Sequence, residues 1–119
     1  MIEGAVTPAR VPHVEIPVGA RTWPAVIDTG FNGDLELPDE LRGDVNPQFV
    51  GVVESSLAAG QTIVENCYLV EFAFDGETRN VEATFVDSDE ILVGTGMLMG
   101  HQLSIDFMAG TVLLARHSG

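Results

Sequence analysis

Apolar and polar residues alternate along much of this chain, and a period of two residues is typical of β-strands that bury one face. In residues 14–18, for example, Val14, Ile16 and Val18 alternate with a glutamate and a proline. The strands that we predict from such segments cover residues 14–18, 21–27, 35–37, 63–74, 81–85, 91–93, 104–107 and 111–115. Asp75-Gly76 is a strong signal for a two-residue hairpin between two of these strands.

Helical patterning is confined to residues 95–99, where we predict one short helix because glycines interrupt the segment. Many short strands with regular turn signals indicate an all-β barrel or sandwich. The polar, turn-rich residues 39–47 are predicted to form a surface loop. A length of 119 residues suffices for one core, so we predict a single domain over residues 1–119.

The candidate chemistry lies in Asp28-Thr29-Gly30, at the end of the predicted strand 21–27. Asp28 can ionise or share a proton, Thr29 offers a hydroxyl to the backbone, and Gly30 permits a close backbone approach beside the carboxylate. A triplet of this kind can also arise by chance, and aspartate often occupies a turn after a strand. On the triplet alone, Asp28 is either a catalytic carboxylate or a turn residue.

The order strand, Asp28-Thr29-Gly30, strand resembles the retropepsin-like aspartic proteases, and more closely their small bacterial members. Leu57-Ala58-Ala59-Gly60-Gln61 lies between two predicted strands and is similar to the flap hairpin that closes over substrate in that family. Ile91-Leu92-Val93-Gly94 is similar to the second signature of the family, and residues 100–106 resemble the terminal segment of the bacterial branch. The resemblance covers almost the whole chain in the correct order.

The resemblance implies an all-β, closed retropepsin-like barrel with one short helix near its C-terminal end, and the activity of an aspartic endopeptidase. It implies that Asp28, Thr29 and Gly30 form the catalytic loop. The residues that it assigns to substrate binding are Phe31, Asn32, Leu57, Ala58, Ala59, Gly60, Val93 and Gly94.

A single triplet is half of what aspartic proteolysis needs, because that reaction uses two carboxylates that share a proton. Asp87-Ser88-Asp89 lacks the glycine and adjoins further acids, so we exclude it as a second triplet. We therefore predict a twofold homodimer that places Asp28 beside its own copy. In the viral relatives the chain termini interleave at the interface, and residues 1–10 and 111–115 are the segments here that could do so.

Three residues depart from the viral pattern. Asn32 and Thr95 stand where many viral enzymes have an aspartate and an arginine, whose ion pair braces the dimer. Both residues are neutral here, so the two departures are mutually consistent. Phe31 stands where a small residue is usual, and it either narrows a substrate subsite or packs against the core.

The charge balance narrows the choice of partners, because 18 acidic and five basic residues give a net charge of -13. Nucleic acids and anionic membranes bind clustered Lys and Arg, so we expect neither as a partner. The lone Cys67 cannot form an internal disulfide and is expected to be a packed small hydrophobe. Neither a secretory signal nor a membrane-spanning apolar run is visible, so the expected address is the cytoplasm.

We expect no cofactor and no metal. His13, His101 and His117 lack the paired spacing of a zinc site, and the glycines of residues 94–100 have the wrong spacing for a dinucleotide-binding loop. The leading hypothesis is thus a dimeric peptidase acting on peptides or proteins. Its main alternative is a binding or scaffolding module that keeps the retropepsin fold without turnover, and a third is an unrelated β-domain with a chance triplet.

Overall fold

The computed structural model describes residues 1–117, which are nearly all β-structure. The strands are β1 (Ile2–Val6), β2 (Pro12–Val18), β3 (Arg21–Ile27), β4 (Leu35–Pro38), β5 (Gln48–Ser56), β6 (Thr62–Phe74), β7 (Glu77–Val86), β8 (Ile91–Val93), β9 (His101–Asp106) and β10 (Thr111–Arg116). The α-helix is α1 (Thr95–Leu98), within the segment that the sequence predicts. Two 3-10 turns cover Asp39–Asp44 and Ala58–Gly60.

All ten strands belong to one sheet, in the order β5-β6-β7-β4-β8-β3-β2-β1-β10-β9. Neighbours in the sequence form antiparallel hairpins, as in β2–β3, β6–β7 and β9–β10. Two parallel pairings, β3 with β8 and β4 with β7, bring distant parts of the chain together. This order ends at β5 and β9, so the closed barrel remains a prediction from the sequence.

The sheet folds over a single core because most strands bury alternate residues. In β2, for example, Val14 and Ile16 are buried whereas Glu15 is exposed. Three buried residues outside the strands complete the same cluster: Leu41 from the first 3-10 turn, Val45 just after it, and Met97 from α1. Burial of one such side chain contributes about 1.5–3 kcal/mol, so both irregular segments are anchored by packing.

The first and last strands are paired within the chain. β1 lies between β2 and β10, with Ile2 opposite Leu114 and Gly4 opposite Val14. β10 lies between β1 and β9. The sequence had suggested residues 1–10 and 111–115 as segments that interleave with a partner, and this expectation is wrong for the paired strands because neither has a free edge.

Candidate active site

Asp28 follows directly after β3, and backbone hydrogen bonds hold it in place. Its N–H donates to the carbonyl oxygen of Val93 at 2.9 Å, which extends the parallel pairing of β3 with β8. Its carboxylate oxygen Oδ1 accepts the N–H of Gly30 at 2.9 Å, and its carbonyl oxygen accepts the N–H of Phe31 at 3.2 Å. A Cβ at Gly30 would lie 3.2 Å from Oδ1, so glycine keeps this turn close to the carboxylate.

The Asp28 carboxylate is partly exposed and has no cationic partner among residues 1–117. The ion pairs that these residues form all involve other acids. A carboxylate that is fixed by an amide and open to solvent is placed to exchange protons with a bound molecule.

The loop after Asp28 is tied to the start of α1. Phe31 accepts two hydrogen bonds on its carbonyl oxygen, from the N–H of Thr95 at 2.8 Å and from the Thr95 hydroxyl at 3.3 Å. The N–H of Gly96 donates to the carbonyl oxygen of Gly33 at 3.0 Å. Thr95 therefore braces this loop through both its N–H and its hydroxyl.

Gly94 allows this close approach between the loop and the helix. A Cβ at Gly94 would lie 2.1 Å from the carbonyl oxygen of Gly33 and 2.8 Å from that of Phe31, which no other residue type avoids. Gly94 is buried, and Val93 beside it is 0% exposed. The structure thus places these two predicted substrate-binding residues underneath the loop, where they support it.

A groove of about 180 Å³ opens between the β5–β6 hairpin and the loop after Asp28. The residues that line it are Phe31, Gly33, Asp34, Leu35, Glu36, Val53, Ser55, Glu65, Cys67, Glu82, Ala83 and Thr84. Four of these residues are acidic and none is basic. Phe31 therefore lies at a groove wall, and its role toward a substrate stays a prediction.

Burial and neighbouring carboxylates raise the pKa values of two groove residues, Glu36 and Cys67. The pKa of Glu36 is raised by burial first, then by the charges of Glu65 and Asp28. The pKa of the buried Cys67 thiol is raised by burial and by the charges of Glu82 and Asp34. The groove consequently has a negative potential that disfavours anions and favours cationic groups.

The β5–β6 hairpin carries the predicted flap at its tip. Ala58–Gly60 forms a 3-10 turn, and Leu57 donates its N–H to the carbonyl oxygen of Gln61 at 2.6 Å. Ala59 and Gly60 both have positive φ, at 62° and 74°. All the residues of this tip are exposed, so contact with a substrate stays a prediction for them.

Two predicted site residues make no side-chain hydrogen bond within residues 1–117. Thr29 is exposed, and its hydroxyl does not lock the loop of the single chain. Asn32 is also exposed and lies outside the groove lining. The sequence analysis missed Asp34, which accepts the N–H of Glu82 at 3.0 Å and so links the loop to β7. Its only signal in the sequence was its position before the alternating segment 35–37.

Within residues 1–117, no group of three or more His, Cys, Asp or Glu side chains is arranged to hold a metal ion. The same residues include no helix with the length and apolar character needed to cross a membrane.

Solved structures with a similar fold include two of comparable size. A retropepsin-like aspartic protease from Rickettsia conorii matches with a TM-score of 0.67 and 17% identity, over 95% of this chain and 88% of that one. The simian foamy virus protease matches with a TM-score of 0.55 and 15% identity, over 72% of this chain and 90% of that one.

A much larger protein also matches. The foamy viral protease–reverse transcriptase, solved in complex with an RNA/DNA hybrid, has a TM-score of 0.62 and 14% identity. The match covers 81% of this chain, which spans only 13% of the viral protein. No protein-family model and no curated protein matches the sequence. The comparisons therefore establish the retropepsin-like fold of this chain.

Proposed function

We propose that this chain is an aspartic endopeptidase whose catalytic pair consists of Asp28 and the Asp28 of the partner subunit in a homodimer. The observation that carries the proposal is the Asp28 loop on a retropepsin-like fold. Its carboxylate is partly exposed, unpaired by any cation, and fixed by the N–H of Gly30 at 2.9 Å. A turn residue with a purely local role does not need the second layer of hydrogen bonds from α1 that supports this loop.

The chemistry requires one ionised and one protonated carboxylate. The ionised carboxylate accepts a proton from water as the water oxygen attacks the peptide carbonyl carbon. The protonated carboxylate donates its proton to the carbonyl oxygen, which gives a neutral tetrahedral gem-diol. The reverse transfers protonate the amide nitrogen and break the C–N bond, releasing an amine and a carboxylic acid.

The groove lined by Phe31, in the loop that follows Asp28, supports a peptide as the substrate. It lies between the loop that carries Phe31 and the β5–β6 hairpin, whose tip at residues 57–61 acts as the flap. Closure of such a hairpin excludes water from the reacting carbonyl. In this assignment Thr29 lies at the dimer interface, which accounts for its exposed hydroxyl in the single chain.

The proposal is tested by comparing the wild type with Asp28→Asn on a mixed peptide library from about pH 3 to 8, a range that spans both ionisations of such a pair. We expect a bell-shaped pH profile for the wild type, because activity requires one proton on the pair. Asp28→Asn should lower the cleavage rate by about a thousandfold or more, since it removes the base from both subunits. Cleavage that persists in this variant would contradict the mechanism.

Absence of cleavage in the wild type as well would instead favour the alternative, a binding module on the same fold. Peptide binding distinguishes the two functions. A binding module should bind a peptide equally well in the wild type and in the Asp28→Asn variant, because binding in the groove needs no proton transfer.

A further inference from the structure

The floor of the acidic groove is formed by four neighbouring strands, β4, β7, β6 and β5. The residues on either side of Glu36 in β4 are buried in the core, so Glu36 points to the other face of the sheet. The pairing places Glu36 opposite Thr84 of β7 and, farther along, Glu65 of β6 opposite Val53 of β5. All four of these residues line the groove, so the sheet gathers them from distant parts of the chain onto one surface.

This surface combines apolar contact with negative charge. Phe31 of the loop and Val53 of the β5–β6 hairpin supply apolar walls, and Glu36 and Glu65 supply half-buried carboxylates. None of the five basic residues of the chain lines the groove. Lysine and arginine side chains have the matching form, because each has a long apolar stem that ends in a cation.

The fold itself uses only one of the four groove carboxylates. Asp34 accepts the N–H of Glu82 at 3.0 Å. The carboxylates of Glu36, Glu65 and Glu82 form no ion pair and accept no hydrogen bond within residues 1–117. Burial and the charges of Glu65 and Asp28 raise the pKa of Glu36, so its ionised form costs the folded chain stability. A cation supplied by a bound molecule offsets this cost.

We propose that the groove is a subsite for a lysine or arginine side chain of the peptide substrate, and that Glu36 and Glu65 determine this specificity. The inference rests on the proposed function, because it assigns one side chain of the peptide that the Asp28 pair cleaves. Glu36 and Glu65 are chosen over the exposed Glu82 because solvent and salt screen a half-buried charge pair less. The same carboxylates repel an acidic side chain.

Peptides that are neutral apart from one varied position test the subsite. Norleucine is the matched control for lysine, since it keeps the apolar stem and lacks the ammonium group. In a series that carries lysine, norleucine or glutamate at each position in turn, we expect one position at which lysine raises kcat/KM about tenfold over norleucine. Glutamate should be the poorest of the three at that position.

A double variant, Glu36→Gln with Glu65→Gln, connects the preference to these two residues. It should bring the ratio of lysine to norleucine at that position close to one, because the amides keep the shape and remove the charge. Glu54→Gln is the matched control, since Glu54 lies on the same hairpin but is exposed and outside the groove lining. This control should keep the lysine preference. Circular dichroism verifies that each variant is folded.

The net charge of -13 attracts every cationic peptide to some degree. Such long-range attraction acts at all positions of the peptide, and Glu54→Gln reduces it as much as a single groove substitution does. Measurements at about 0.15 M salt, where the Debye length is about 8 Å, screen it further. A lysine preference confined to one position therefore reports contact with the groove.

Calorimetric binding of the same peptides to the wild type and the double variant gives a second readout that does not need cleavage. Cleavage with equal kcat/KM for lysine and norleucine at every position, or with a lysine preference that survives in the double variant, overturns the subsite and leaves the proposed peptidase standing. A lysine preference in binding that the double variant loses, in a chain that cleaves no peptide, has the opposite meaning: the cationic subsite holds and the proposed function fails. Equal binding of all the peptides without cleavage removes both.

Discussion

Two aspartates in turns, Asp28 and Asp75, have opposite surroundings. Asp75 lies between β6 and β7 with its side chain only 7% exposed. It accepts a hydrogen bond from the amino group of Met1, lies 3.2 Å from Nε2 of His101, and lies 3.8 Å from the guanidinium of Arg116. Asp28, by contrast, is partly exposed, and within residues 1–117 its carboxylate accepts a hydrogen bond only from the N–H of Gly30.

The difference separates a carboxylate held by ion pairs from the carboxylate to which we assign the proposed reaction. The hydrogen bond from the Met1 amino group, and then that from His101, hold the pKa of Asp75 below its ordinary value of 3.8. Asp75 is therefore locked in its ionised form and joins the β6–β7 hairpin to the two ends of the chain. A catalytic acid or base must instead change its protonation state during the reaction.

The largest expected effect on stability follows from removing the charge of Asp75. Asp75→Asn should lower the free energy of unfolding by about 3 kcal/mol at neutral pH, because it removes a buried anion that contacts the Met1 amino group, His101 and the half-exposed Arg116. The contribution of Asp75 is present above pH 3.8 and is lost as pH falls through the depressed pKa of the folded state. Urea unfolding of the wild type and the variant measures the loss of stability at pH 7 and its disappearance at low pH.

Asp28→Asn is the matched control for that experiment. Its unfolding free energy should stay within about 0.5 kcal/mol of the wild type, since it leaves no buried partner unpaired. The comparison between the two aspartates breaks down if Asp28→Asn is the more destabilising of the two.

We expect the Asp28 region to be sensitive to added side-chain volume, whereas the Asp75 region is sensitive to the loss of charge. Gly94→Ala places a Cβ 2.1 Å from a backbone oxygen, so we expect a loss of about 2 kcal/mol in stability. The loop must move to accommodate it, and peptide cleavage should fall more than the folded fraction does. Gly76→Ala is the control at the other turn, where nothing lies within 4 Å of the new Cβ and the cost comes only from its φ of 79°. Equal effects on cleavage for the two alanines would contradict a positioning role for Gly94.

The smallest expected effect concerns Glu36 in the groove. Its pKa is raised above the ordinary 4.5, so the folded state disfavours its ionised form and stability falls as pH rises through the window above 4.5. Glu36→Gln should therefore gain about 0.5 kcal/mol at pH 7, and the gain should vanish below pH 4.5. Thermal melts at both pH values measure it, with the exposed Glu3→Gln as control. A gain that persists at low pH would point to a cause other than charge.

The sequence predicted the strands whose buried residues alternate, such as β2 and β6, but it missed β1 and β5. Gly4 lies within β1 and is a poor strand former, yet a Cβ there would lie 2.0 Å from the carbonyl oxygen of His13. In β5 the apolar Phe49, Val50 and Val52 are all exposed, so its pattern does not show a buried face. Both β1 and β5 are strands because they pair with neighbouring strands, and the local pattern of apolar and polar residues carries no information about that pairing.

The candidate site, like the fold, could be predicted from the sequence only in part. The triplet at Asp28 and the hairpin tip were visible because each is a short contiguous motif. The support that Thr95 gives to the loop after Asp28 was not visible in the sequence, because its contacts with Phe31 join residues 64 positions apart. The acidic groove combines residues of β4, β6 and β7, which meet because β7 pairs with β6 on one side and in parallel with β4 on the other.

The most direct test of the central claim is the stoichiometry with which a statine peptide binds. Its central hydroxyl mimics the tetrahedral intermediate and is expected to lie between the two Asp28 carboxylates. Isothermal titration of the wild type should give one peptide for every two chains, and Asp28→Asn should abolish measurable binding. One peptide per chain, or binding that is unchanged in Asp28→Asn, would contradict an active site shared by two copies of Asp28.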